Sequence, residues 1–341
     1  MRLYFSGMSS WRAMACSGLL LAAACSGGGG ADNPPTPTPT ATSTPTSASY
    51  VATPVEASSF LAQASFGADM SDIDALVARD ATQWLQSEFA KPASGYLNPL
   101  LQREAAGEEL PFAAASPMFW DAMIAGDDQL RQRMVFALSQ ILVVSDADLP
   151  TLSSAQYMDV LTRNAFGNYR DLLEDVTYSP AMGIYLTYMY NRKGDPTTGR
   201  MPDENYAREL MQLFTIGLVE LNMDGSVKTD GAGQTIETYD NLDIVGLAKV
   251  FTGFAPNGTA FWQKGEDAWY APMRMYDDQH SELEKSFLDL TIPAGTGGEA
   301  MTSDGPARLG PFRMHELLGE GAHAMVDGQL VPVGRTPGST G

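Results

Sequence analysis

Cysteine is almost missing from this chain: its 341 residues hold two, Cys16 and Cys25, both near the N-terminus. From Ser26 to Gly341 no disulfide, thiolate metal site or thiol nucleophile can form. Histidine is scarce as well, at three residues: His280, His315 and His323. Positive charge is outnumbered, with 21 Lys and Arg against 41 Asp and Glu and a net charge of −20. Such a field repels nucleic acid and anionic lipid headgroups, and neither is expected as a partner. There is no G-x-S-x-G elbow, Walker loop, dinucleotide fingerprint, H-E-x-x-H, or S-x-x-K with its companion motifs. What is plentiful is apolar sequence, 44% of residues, enough to build a substantial core.

The first 24 residues carry Arg2 and Arg12 and no acid, followed by a short apolar stretch from Ala13 to Ala24. A bilayer span needs roughly 20 apolar residues, so this reads as a signal peptide. Its loss removes two positive charges and takes the chain from −20 to −22. The arginines are not adjacent, which argues against the twin-arginine route. Ala22, Ala23 and Ala24 precede Cys25, a spacing that resembles the lipobox of bacterial lipoproteins, whose cysteine is acylated. Here Leu21 stands four residues before the cysteine, whereas the lipoprotein pattern places leucine three before. Ordinary cleavage after Ala24, releasing a soluble protein, is the alternative. Lipid attachment at Cys25 is the favoured expectation, because the exported chain has no other cysteine. That places the protein in the cell envelope, tethered to a membrane.

Ser26 to Ser59 is dominated by Gly, Pro, Thr and Ser. It holds too little apolar surface to repay the entropy of ordering and is expected to be a disordered spacer. From Phe60 the apolar periodicity is helical. Stripes run through Ile73, Leu76, Val77, Trp84, Leu85 and Phe89, with Ser71 and Asp74 as a capping box. Leu130, Met134, Val135, Leu138, Ile141 and Leu142 form another. Further helices are expected from the serine cap at Ser153 to Gly167, over Tyr169–Val176, from Pro180 through Met189, from Pro202 to Gly217, and over Asn241–Phe251. Alternation from Val219 to Val227 around Asp224-Gly225 reads as a hairpin. The fold class is therefore all-α: one large multi-helix domain over residues 60–300 with one small β-hairpin. Residues 301–341 are Gly-rich and lack a sustained period; this tail is expected to be disordered or foreign to the fold.

Several stretches resemble the bacterial family known as domain of unknown function 1800. They are FLAQASFG (Phe60–Gly67), NAFGNYRDLLEDVTYSPAMGIYL (Asn164–Leu186), PDENYARELMQLFTIGL (Pro202–Leu218), TYDNLDIVGLAKVFTGF (Thr238–Phe254), and His280 with Lys285 in HSELEK. The resemblance covers roughly Phe60 to Gly297 in order. It implies a largely helical, exported protein for which no activity is established across the family. It also implies a possible partner, since family genes often neighbour one for an exported sulfatase-like protein (domain of unknown function 1501). After Ala300 the sequence departs from the family pattern, which continues with helices and a His-Pro-Asn block. A truncation or frameshift is the expectation there.

The polar residues of these blocks are the candidate cluster: Asn164, Asn168, Arg170, Glu204, Asn205, Arg208, Glu209, His280 and Lys285. On a helix Glu204 faces Arg208, and Asn205 faces Glu209. In one reading they line a cleft with Glu209 as acid, base or cation ligand. In the other, which is favoured, Asp203 caps the helix, Glu204 pairs with Arg208, and Asn205 and Glu209 are buried ties at the centre of the body. Asp277, Asp278, His280, Glu282 and Glu284 are expected to form a solvated acidic turn with His280 packed inward. One histidine is poor support for zinc, and no metal or other cofactor is expected. The leading functional expectation is a non-catalytic binding or assembly protein. The alternative is a metal-assisted hydrolase of envelope or extracellular polymer, with Glu209 and His280 as its catalytic residues.

Overall fold

Apolar stripes at helical spacing become eleven α-helices among the described residues of a computed structural model. It describes residues 53–295 and the backbone of two later strands. The signal peptide, Cys25 and most of the spacer lie outside these residues. The first helix, α1 (Pro54–Ala64), is closed by a capping box between Thr53 and Glu56. It begins at Pro54, so the last six residues of the stretch read as spacer are helical, and Ala57 is fully buried. The single helix expected after Ser71 is two, α2 (Met70–Val77) and α3 (Ala81–Phe89). Asp69 and Asp72 form the box that starts α2, and Asp80 caps α3. Ser71 is not the cap; its hydroxyl donates to Asp69.

There follow α4 (Leu97–Ala105), α5 (Ala115–Ala125), α6 (Gln129–Ile141) and α7 (Thr151–Arg163). Helix α7 is the hub: it packs on α4, α5, α6 and, further along the chain, on α8 (Tyr169–Thr177) and α9 (Pro180–Tyr185). Eight of its residues are buried, among them Tyr157, Val160 and Leu161. It starts after Pro150, two residues before the serine expected to cap it. Helix α9 stops at Tyr185, short of Met189, because Thr187 and Tyr190 take positive φ angles of 62° and 66°.

The signature helix α10 (Asn205–Gln212) packs on α11 (Asn241–Val250) and buries Tyr206, Ala207, Leu210 and Met211. It does not run through the centre of the body. Leu213 just beyond it is 61% exposed, and Asn205 and Glu209 are half-buried. The main core joins α7 to α11, with Leu172, Leu173, Met182, Phe251 and Phe254 at its heart. Smaller clusters sit between α1 and α2, and between α4, α5 and α7.

The hairpin expected at Val219–Val227 is present as bridges in a three-limbed arm. Leu221 pairs with Val227 around Gly225 (φ 81°), and Thr229 with Thr235 around Gly233 (φ 79°). Val219 then closes on Glu237. Strands the periodicity did not reveal are two or three residues long: β1 (Phe254–Ala255) with β2 (Arg274–Met275), and β3 (Lys285–Phe287) with β4 (Leu290–Ile292), both antiparallel. A last pair, β5 (His323–Val326) and β6 (Gln329–Pro332), falls within the glycine-rich tail. Among the described residues no helix is long and apolar enough to cross a membrane.

Candidate functional site

Strand β3 lies directly against α11, and Gly246 makes the approach possible. A Cβ there would stand 1.8 Å from the Ser286 carbonyl oxygen. This contact brings the block from His280 to Lys285 onto the C-terminal end of α11, where helix carbonyls need partners. The Thr252 hydroxyl donates to the Lys249 carbonyl (2.7 Å) and accepts the Ser281 N–H (2.8 Å). His280 Nδ1 lies 2.8 Å from the Thr252 carbonyl, a contact that puts the ring proton on Nδ1. Lys285 Nζ donates to the Ser281 carbonyl (2.7 Å), and Lys249 Nζ to the Glu284 carbonyl (2.9 Å).

His280 is 5% exposed and Lys285 2%. Burial lowers the imidazole to about 4, Lys285 and Lys193 push the same way, and the Thr252 contact opposes them. His280 is thus a neutral, inward-packed ring. Burial, with Lys249 nearby, also lowers Lys285. Asp277, Asp278, Glu282 and Glu284 around them are exposed.

The second half of the candidate cluster is tied in by Asn191. Its amide donates to the Phe251 carbonyl (3.2 Å), its side-chain oxygen accepts the Asp203 N–H (2.9 Å), and its carbonyl accepts the Gly253 N–H (2.7 Å). One asparagine thus joins the entry of α10 to the exit of α11. Inside α10, Tyr206 stacks on Tyr188 (centroids 4.2 Å apart) and bonds Thr177 Oγ1 (2.7 Å). Thr177 spends its own proton on the Leu173 carbonyl, so Tyr206 is the donor. Asn191, Thr252, Thr177 and Tyr188 carry this architecture, and sequence reasoning did not single them out. A buried threonine or asparagine has no periodic signature.

The outer residues are placed as follows. Asp203 accepts the Asn205 N–H (2.9 Å). Glu204 pairs with Arg208 at 3.2 Å, one helical turn on, with both side chains substantially exposed. Asn164 ends α7, donating to the Val160 carbonyl (3.0 Å) and to Asp175 (2.8 Å). Asn168 caps α8, and Arg170 pairs with the adjacent Asp171 at 3.2 Å. Glu209 differs from the satisfied tie expected of it: its Oε2 is buried without a hydrogen-bond partner, as is the Tyr239 hydroxyl. The two groups are electrostatic neighbours. Burial raises the Tyr239 phenol, Arg208 draws it down, and Glu209 raises it again.

Among the described residues no three His, Cys, Asp or Glu side chains form a group able to hold a metal ion. Beside the His280–Lys285 block lies a cleft of about 180 Å³, walled by Pro196, Met201, Pro202 and Leu283 with Lys249 and Ser281. This arrangement of residues can hold an apolar group.

No curated protein and no solved structure matches the chain. A family model described as "Protein of unknown function (DUF1800)" matches residues 59–309, well over half its length. The chain belongs to that family, DUF1800.

Proposed function

We propose that this chain is an exported protein, lipid-anchored to a membrane through Cys25, whose helical body binds an exported partner and catalyses no reaction of its own. The partner in this reading is a sulfatase-like protein of the domain of unknown function 1501 family. One observation carries it: the signature residues best suited to chemistry, His280 and Lys285, are buried and hydrogen-bonded to backbone carbonyls, His280 to Thr252 just past α11 and Lys285 to Ser281. Support also comes from apolar side chains left in solvent where α10 gives way to the arm. Leu213 is 61% and Met223 86% exposed, with Leu218 and Leu221 also exposed. Large exposed apolar side chains grouped in one region favour a binding surface.

The tether is tested in a host with lipoprotein processing. Wild type should enter the detergent phase and Cys25→Ala the soluble fraction, since stable anchoring takes more than one acyl chain. If both stay soluble, the protein is simply secreted. Co-expression with the sulfatase-like protein tests binding: the two should co-elute on gel filtration at micromolar concentration. Separate elution, together with hydrolysis by the chain alone that Glu209→Ala abolishes, overturns the proposal.

A further inference from the structure

A second cleft, lined by residues outside the signature blocks, opens between α5, α6 and α7 with a volume of about 240 Å³. At one wall stands Asp146, in the short 3-10 turn before α7. Each carboxylate oxygen accepts a serine hydroxyl, Ser116 on Oδ2 and Ser154 on Oδ1. Two more hydroxyls line the cleft. Ser139 donates to the Phe136 carbonyl (2.8 Å), and Tyr157 to the Leu142 carbonyl.

A hydroxyl has one proton and two lone pairs. All four protons are therefore committed to protein acceptors, and what the hydroxyls and Asp146 have left to offer is lone pairs. The remaining side-chain donor is the Gln140 amide, on an exposed residue, and it already reaches the Ser139 hydroxyl oxygen at 3.5 Å. No Lys or Arg forms an ion pair with Asp146 among the described residues. The rest of the lining is apolar: Phe119, Val143, Val144 and Met158.

We propose that this cleft binds a primary alkylammonium group, the cation on Asp146 and its serines and the alkyl chain along Phe119, Val144 and Met158. Charge-assisted hydrogen bonds are stronger than neutral ones, and an ammonium supplies three donors to a wall made of acceptors. A carboxylate or phosphate would meet lone pairs and a like charge. An alcohol supplies one donor and no charge. The net charge of −20 adds a long-range pull on cations. A free small amine and a lysine side chain on a peptide share this chemistry.

The test titrates the full chain with n-pentylamine, n-pentanol and pentanoate at low ionic strength, following amide shifts by NMR. Pentylamine should bind at least about tenfold tighter than pentanol, with pentanoate showing no binding. Asp146→Asn should weaken pentylamine at least about tenfold. Val143→Lys, at a position already 42% exposed, should abolish binding by placing a competing ammonium at the cleft without touching the serine bonds. An Nα-acetyl-lysine amide that binds as pentylamine does identifies a peptide lysine as the source. If it fails where pentylamine succeeds, a free amine is the source. Equal affinity for pentanol and pentylamine overturns the proposal, as does unchanged pentylamine binding in both variants.

Discussion

The environment of His280 makes protein stability depend on pH in a narrow window. The ring is buried, its Nδ1 proton is held by the Thr252 carbonyl, and Lys285 and Lys193 add positive charge nearby. Its folded midpoint is about 4, against 6.5 when unfolded. Above pH 6.5 both states are neutral and the contribution is complete. Between 6.5 and 4 the unfolded chain takes up a proton that the folded chain refuses, so stability falls as pH falls. Each pH unit of difference is worth about 1.4 kcal/mol, which gives about 2 kcal/mol lost by pH 5 and about 3 kcal/mol once both states are protonated. Urea denaturation of wild type and of His280→Gln, measured from pH 7.5 down to pH 4.5, isolates the term. The gap between the two stability curves should shrink by about 2.5 kcal/mol over that range, because the variant lacks the titrating group. With only three histidines in the chain, an NMR titration can follow the His280 ring directly. Parallel stability curves, or a His280 midpoint near 6.5, would refute the reasoning and return His280 to the pool of acid–base catalysts.

Other substitutions probe the same region. Tyr206→Phe removes one buried hydrogen bond to Thr177 and should cost about 1 kcal/mol, a melting temperature drop of about 2–4 °C. Tyr206→Ala empties the space against Tyr188 and Phe251 and should cost about 3–5 kcal/mol by denaturant titration. Gly246→Ala drives a methyl into the Ser286 backbone and should cost about 3 kcal/mol or more, with loss of the β3 contact visible in hydrogen exchange. Glu209→Ala removes a carboxylate whose buried oxygen has no partner, so thermal unfolding should change by less than about 1 kcal/mol. A loss of about 3 kcal/mol there would show that Glu209 holds a bond the structure does not contain.

Helix existence was readable where the apolar stripe was long and regular, as in α8 and α11, whereas α4 and α5 were not expected. Helix ends were not, because the residues that look like caps have tertiary employment. Ser153 and Ser154, read as the start of a helix, sit inside α7, where their hydroxyls reach the Trp269 carbonyl and Asp146. The end of α9 is set by Thr187 and Tyr190 at positive φ, and neither is a residue type that announces such a backbone. Exposure also escaped the pattern. Met134 and Ile141 belong to the α6 stripe yet are 37% and 47% exposed, since only part of that face meets α7. At the candidate site the Glu204–Arg208 pair followed from helical spacing alone. The inward packing of His280 beside exposed carboxylates was also expected, but the β3–α11 contact that buries it, made possible by one glycine, was not.

That contact bears on how the family blocks are to be understood. Pro202–Leu218, Thr238–Phe254 and His280–Lys285 are separate in sequence, yet they meet at one place, the junction of α10, α11 and β3. Each supplies a different part of it. Tyr206 fills the space between Tyr188 and Phe251, Thr252 turns the exit of α11, His280 bonds the Thr252 carbonyl there, and Lys285 holds the adjoining loop at Ser281. A histidine fixed by its own hydrogen bond and held neutral is well suited to this task, because it packs like an aromatic ring while satisfying a carbonyl. A buried lysine delivers a donor to the Ser281 carbonyl. Sequence motifs rich in polar residues can therefore be specific to a packing arrangement. Glu209 stands apart from it: its buried oxygen is left without a bond, and Tyr239 beside it holds an equally unused hydroxyl. Any chemistry this region performs on a partner has those two groups to draw on, and it would be read from Glu209→Gln and Tyr239→Phe variants that keep the fold intact while changing binding.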